Sequence, residues 1–184
     1  MFIISRCLLG FDCKYDGGNN RNEELIEFCR THDYVTVCPE TAAGLSSPRE
    51  PAEINMDTVA EDGSLVRKVM SRGGIDLTEV FDYGARLSLE SVLVEAGSRN
   101  DGSGVIEGAI LKANSPSCGT GSVYDGTFTG TLTGGLGIFA DKLIDACLEE
   151  RNDPYKSEEN KVFSPDFRVC DEYNFARVFS EEKK

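Results

Sequence analysis

Apolar positions in this chain follow two rhythms. Short β-branched runs, Phe2-Ile3-Ile4, Tyr34-Val35-Thr36-Val37 and Ala109-Ile110-Leu111, are bounded by turn residues, as buried strands are. Between them lie longer segments whose apolar residues recur at helical spacing. Leu25, Ile26, Phe28 and Cys29 predict a helix from Glu23 to Arg30 capped by Asn22. Val80, Phe81, Tyr83, Leu87, Leu89, Val92 and Leu93 predict one over Leu77 to Ala96, with Asp76 or Thr78 as cap and Gly97-Ser98 as its end. Ile138, Phe139, Leu143, Ile144, Cys147 and Leu148 predict a third from Ile138 to Glu150. Strands alternating with helices imply βαβ units. The expected fold is therefore α/β, a single domain over residues 1–184, with a mostly parallel sheet flanked by helices in a Rossmann-like three-layer arrangement.

The remaining segments read as connections. FDCKYDGGNNRNEE is rich in Asp, Asn and Gly and should be a surface loop, and TAAGLSSPREPAEI should wander over the surface or cover a site. Residues 55–74 suggest a short strand or a turn-linked pair, and Asn100 to Gly104 a turn. Asp125 to Leu132 reads as a glycine-punctuated extension or hairpin. Arg151 to Tyr173, charged and turn-rich, reads as a loop excursion, with Arg177-Val178-Phe179 and Lys161-Val162-Phe163-Ser164 as rival final strands.

Composition narrows the function. Nineteen Lys and Arg against 32 Asp and Glu give a formal charge of −13, which opposes the counterion-driven attraction used by nucleic-acid binders. A small, weakly charged substrate suits the chain better. No stretch approaches eighteen consecutive apolar residues and the N-terminus lacks signal-peptide features, so a cytoplasmic protein without a membrane partner is expected. Seven cysteines, an odd number in a chain of this size, point to reduced thiols or metal ligands before disulfides.

Three of them share a context. Cys7, Cys38 and Cys118 each follow a predicted strand, and in parallel sheets the ligand crevice lies outside the strands' carboxyl ends. They can therefore converge although they stand 31 and then 80 positions apart. Three thiolates could hold zinc or an iron–sulfur cluster and leave one coordination position open. Zinc-finger spacing is absent: there is no C-x-x-C, and His32 is the single histidine. One cysteine could instead be a nucleophile, with His32 as the available base. A phosphate-cradling loop at SPSCGTGS is a third reading, although no Gly-Lys-Ser/Thr follows it. Buried cysteines also behave as small hydrophobes. That reading suits Cys29 and Cys147 on apolar helix faces, Cys170 reads as an incidental thiol, and Cys13 could be a fourth ligand or a spectator. Glu40 and Ser115 stand beside the cysteines and could move protons, and Arg49 and Glu53 could reach a ligand.

The stretches SRCLLGFDCKYDGG, VCPETAAGLSSPREPAEI and LKANSPSCGTGSVYDGTFTG resemble motifs of the thiouracil desulfurase (TudS) family, in order over residues 1 to 148. The resemblance implies a [4Fe-4S] cluster held by Cys7, Cys38 and Cys118, with a fourth iron free to bind the sulfur of a thiolated pyrimidine. Water would replace that sulfur without net redox change, releasing sulfide, in a hydrolase- or lyase-type reaction on thiouracil or thiouridine. Glu40 and Ser115 would be the proton-transfer residues. Some relatives act on thiolated uridine in RNA, but the −13 charge favours a free base or nucleoside. The chain departs from the pattern at Arg6, where a small residue is expected, and at residues 151–173, which read as an insertion. The competing expectations are a non-catalytic iron–sulfur or zinc sensor, and a persulfide-forming sulfurtransferase.

Overall fold

The computed structural model describes residues 1–59, 65–99 and 104–179. The three sequence-read strands form as β1 (Phe2–Ser5), β2 (Tyr34–Val37) and β5 (Ile106–Leu111). With β8 (Phe163–Asp171) they make one four-stranded parallel sheet in the order β2-β1-β5-β8. Side chains alternate across this sheet, as the two-residue strand repeat requires. Ile3, Ala109 and Leu111 pack on one face with α3 (Thr78–Ser98) and α4 (Ile138–Asn152), which contribute Phe81, Ala85, Val92, Phe139 and Leu143. Phe2, Ile4 and Ile110 pack on the other with Leu25 of α1 (Glu23–Phe28) and Phe175 of α5 (Phe175–Phe179). The molecule is thus a single α/β domain with helices on both faces of a parallel sheet, as the hydrophobic pattern predicts.

Two hairpins lie beside the sheet: β3 (Ala52–Val59) with β4 (Leu65–Ser71), and β6 (Thr120–Tyr124) with β7 (Leu132–Leu136). The first resolves the ambiguous 55–74 stretch as an antiparallel pair. The expected turn at Asn100 to Gly104 lies largely outside the described residues. Asn22 caps α1 as expected, its side chain accepting the Leu25 N–H at 3.0 Å.

The C-terminal fifth bears out one of the two rival strands in part. Lys161-Val162-Phe163-Ser164 overlaps the start of a strand over residues 163–171 paired in parallel with β5, and Arg177-Val178-Phe179 belongs to α5 rather than to a strand. β8 lies at the sheet edge, where Pro165 can be tolerated because no further strand needs its missing N–H. The strand is tied down from α4. Buried Glu150 accepts the backbone N–H groups of Val162 and Phe163 and pairs with Lys156.

The chain runs from β1 to β2 on one side and then crosses β1 to reach β5 on the other. This reversal opens a crevice at the carboxyl ends of β1 and β5, where doubly wound sheets bind ligands. Ser5 bridges the two strands there, its hydroxyl oxygen accepting the Lys112 N–H at 2.9 Å.

Candidate functional site

A cavity of about 470 Å³ occupies this crevice, and Cys7, Cys13, Cys38 and Cys118 all line it. Each cysteine arrives by a different local route. Cys7 sits in the single 3-10 turn after β1, capped by Gly10 in the left-handed region. The following loop folds back on it. Asn20 donates its backbone N–H to the Cys7 carbonyl at 2.9 Å and its side-chain amide to the Cys7 sulfur at 3.6 Å. Cys38 is the N-cap of the short helix α2 (Pro39–Ala42), with Pro39 at the first helical position, where a missing N–H costs nothing. Cys118 lies in the loop 112–119, whose carbonyls serve α4. Ile138, Phe139 and Gly137 donate their N–H groups to Pro116, Ser117 and Gly119.

Two glycines make these approaches possible. A Cβ on Gly84 of α3 would fall 2.1 Å from the Pro39 carbonyl oxygen, and one on Gly137 would fall 2.5 Å from the Ser117 carbonyl. Only hydrogen side chains fit where α2 meets α3 and where the cysteine loop meets α4.

The thiols differ in chemistry. Hydrogen bonding from Cys13 depresses the Cys38 thiol to about 6, with Thr41 contributing and burial opposing. Cys7 is lowered chiefly by the same Cys13 thiol, which lies between the two and is itself pushed far up. Burial pushes Cys118 well above the ordinary thiol value, against a hydrogen bond from Ser5. Cys29, Cys147 and Cys170 are likewise raised by desolvation and lie outside the cavity. His32 does not reach the thiols. It stacks on Phe28 with centroids 3.9 Å apart, so no Cys-His pair forms.

Glu40 lines the cavity with both oxygens engaged. Oε2 accepts from Arg49, at 2.8 Å from Nε and 2.7 Å from the terminal nitrogen, and Oε1 accepts from the Ser117 hydroxyl at 3.1 Å. Arg49 also donates to the Cys13 and Ser46 carbonyls, so it serves the protein here. Ser115 lines the cavity, and its oxygen accepts the N–H groups of Ser117 and Cys118 at 3.1 and 3.2 Å. That arrangement leaves the Ser115 hydroxyl hydrogen free to point elsewhere. Glu53 faces the same cavity from β3.

Several residues that build the site were not singled out from the sequence. Ser117 donates to Glu40 without itself lining the cavity, and spacing cannot say which serine faces the carboxylate. Lys112 pairs with buried Glu172, which also accepts the Ala113 N–H at 2.8 Å. Tyr173 follows Glu172 and its ring lies 5.7 Å from the Lys112 ammonium. The segment read as an excursion therefore builds part of the wall. Arg6 and Arg72 rest on the rings of Phe11 and Phe128. Five cationic side chains, Arg6, Lys14, Arg49, Arg72 and Lys112, thus line the cavity, three of them paired with Asp16, Glu40 and Glu172.

Residues 2–153 match the 2-thiouracil desulfurase family. The chain belongs to that family. Uncharacterized protein YbbK of Bacillus subtilis (strain 168) is 36% identical over 146 residues, covering 79% of this chain and 91% of YbbK. The solved structure of TudS, a [4Fe-4S]-dependent thiouracil desulfidase, superposes with a TM-score of 0.67 at 29% identity, covering 96% of this chain and 93% of that one. The family and this structural likeness together support a desulfurase enzyme. Among the described residues no helix is long and apolar enough to cross a membrane.

The desulfurase-family site can be tested for a metal on its own geometry. Among the described residues no three His, Cys, Asp or Glu side chains close on one point, as ligands of a single ion do. A polynuclear cluster makes a different demand, with thiols spaced around a body. The free thiols of Cys7, Cys38 and Cys118, lining one cavity at the ends of three strands, fit that demand.

Proposed function

We propose that this protein removes sulfur from a thiolated pyrimidine, thiouracil or thiouridine, by a hydrolytic exchange that leaves uracil or uridine and releases sulfide. The observation that carries the reading is the shared cavity, in which three strand-end cysteines and Glu40 face the same space. Cys7, Cys38 and Cys118 would hold a [4Fe-4S] cluster, which when bound supplies a Lewis-acidic iron that polarises the C–S bond.

The chain's own residues do the rest. The loop carbonyls on α4 and the Asn20 clamp hold Cys118 and Cys7 in place. Glu40, oriented by Arg49 and Ser117, accepts a proton from water as its oxygen adds to the ring carbon. The C–S bond breaks as the carbonyl forms, and the Ser115 hydroxyl passes a proton to the leaving sulfur while taking up the proton released from the hydroxyl that becomes the carbonyl. Arg49 keeps a positive charge beside Glu40 through both proton states. The cavity's volume suits a base or nucleoside, the substrate size that the −13 charge also favours over nucleic acid.

The test is sulfide release from thiouracil and thiouridine by anaerobically reconstituted protein, with the thiopyrimidine absorbance band followed in parallel. Equal loss of the band and gain of sulfide is expected. A second reading, sulfur transfer through a cysteine persulfide, draws on the depressed Cys38 thiol and needs a sulfane-sulfur donor such as thiosulfate, because thiocarbonyl sulfur lies at the sulfide level. It requires cyanide-releasable sulfur on the iron-free protein after incubation with thiosulfate, which the desulfuration reading does not predict.

A further inference from the structure

One wall of the cavity is built in an unusual way. The tip of the β6–β7 hairpin, residues 125–131, reaches the cavity through Phe128 and Gly130. Gly126 and Gly130 there have φ of 88° and 83°, as glycines readily do, but Phe128 between them also sits at φ 57°. A bulky side chain rarely accepts the left-handed region, and strain of this kind persists where surrounding structure enforces it and concentrates at functional sites. The other non-glycine residue there among those described is Asn114, a type that tolerates it.

The enforcing group is Glu53. This carboxylate is 8% exposed, and its Oε2 accepts the N–H groups of Gly126 at 3.1 Å and Phe128 at 2.9 Å. The loop also lies directly on β3. A Cβ on Gly126 would come within 2.9 Å of Asn55 Cα, so the tip has no room to shift. Phe128 is only partly buried in return and belongs to neither core cluster. Arg72 lies with its guanidinium 5.6 Å from the ring centroid. The fold thus holds an aromatic ring at the cavity by a backbone that a glycine would adopt more easily.

We infer that Phe128 is the stacking surface for the pyrimidine ring of the substrate, and that Glu53 is a positioning residue acting through the hairpin tip. This rests on the thiopyrimidine reading for the ring it names, but not on the cluster chemistry. An aromatic face is suited to a flat heterocycle whether that ring carries sulfur or oxygen, so substrate and product should both use it.

Phe128→Gly separates stacking from folding, because it removes the ring while relieving the backbone. The melting temperature should be unchanged or higher. KM for thiouridine should rise roughly 5- to 100-fold with kcat within about threefold, the range expected for losing one base–aromatic contact. Uridine binding, measured by calorimetry on wild type and variant, should weaken by a similar factor. Phe128→Tyr should restore both. Glu53→Ala should raise KM alone but add little in the Phe128→Gly background, as two groups in one pathway do. Wild-type turnover with KM and uridine affinity indifferent to Phe128→Gly overturns the inference and leaves desulfuration standing. Phe128-dependent uridine binding without sulfide release overturns desulfuration and supports the inference. Absence of both turnover and uridine binding in wild type overturns both.

Discussion

Glu40 is held at three points, two from Arg49 and one from Ser117, in a pair whose side chains are only 9% and 15% exposed. Such a carboxylate has a fixed direction, as proton transfer requires. Glu40→Gln keeps the shape and loses the base, so turnover should fall by about 10²- to 10⁴-fold with iron content unchanged. Full turnover in that variant would remove Glu40 from the mechanism. Thiol chemistry makes a second prediction, for the metal-free chain. With its thiol at about 6, Cys38 should react with iodoacetamide at a rate that is flat above about pH 7 and falls tenfold per unit below its midpoint, since the thiolate is the nucleophile. Cys29, pushed up to about 11 by burial, should remain slow throughout. Peptide mapping across the pH series checks both. At this scale the strand-end cysteines and Glu40 were legible because turn residues mark where strands stop. Ser117, Glu172 and Phe128 were not, because their roles depend on which backbone N–H or carboxylate the fold brings alongside.

Between elements, the close fit of α2 on α3 sets the position of Cys38 and Glu40. Gly84→Ala places a methyl group 2.1 Å from the Pro39 oxygen, so α2 must move. A loss of roughly 1–3 kcal/mol in denaturant unfolding is expected from such overpacking, with iron retention falling alongside. An unchanged midpoint would mean that α2 accommodates the methyl group freely. The turn that follows β8 contributes a second such contact through Glu172. Glu172→Ala leaves the buried Ala113 N–H unpaired and Lys112 without its partner, which should cost about 1–3 kcal/mol and raise KM. Stability and KM both unchanged would show that this turn does not shape the cavity. The sequence showed only the start of β8, at Phe163 and Ser164, for a physical reason. Phe163, Phe167 and Cys170 are buried, but Ser164, Pro165 and Asp166 break the two-residue alternation on an edge where only one neighbour constrains the strand. The central strands carried no such interruption, and their β-branched runs marked them plainly.

Across the whole molecule, charge and topology act together. The reversal between β1 and β5 opens the crevice, and five cationic side chains gather around it although the chain carries −13 overall. A bulk count of charges could not show this, because sequence separates Arg6, Arg72 and Lys112 and the fold collects them. The central claim is that Cys7, Cys38 and Cys118 together hold one iron–sulfur cluster at this crevice. It is tested most directly by iron and acid-labile sulfide content after anaerobic purification, in wild type, in the three single Cys→Ser variants, and in Cys147→Ser as a core control. About four irons and four sulfides per chain are expected in wild type and in Cys147→Ser, with loss in each of the three site variants. Iron-free wild type that cannot be reconstituted, or iron that survives Cys7→Ser, Cys38→Ser and Cys118→Ser alike, would contradict it.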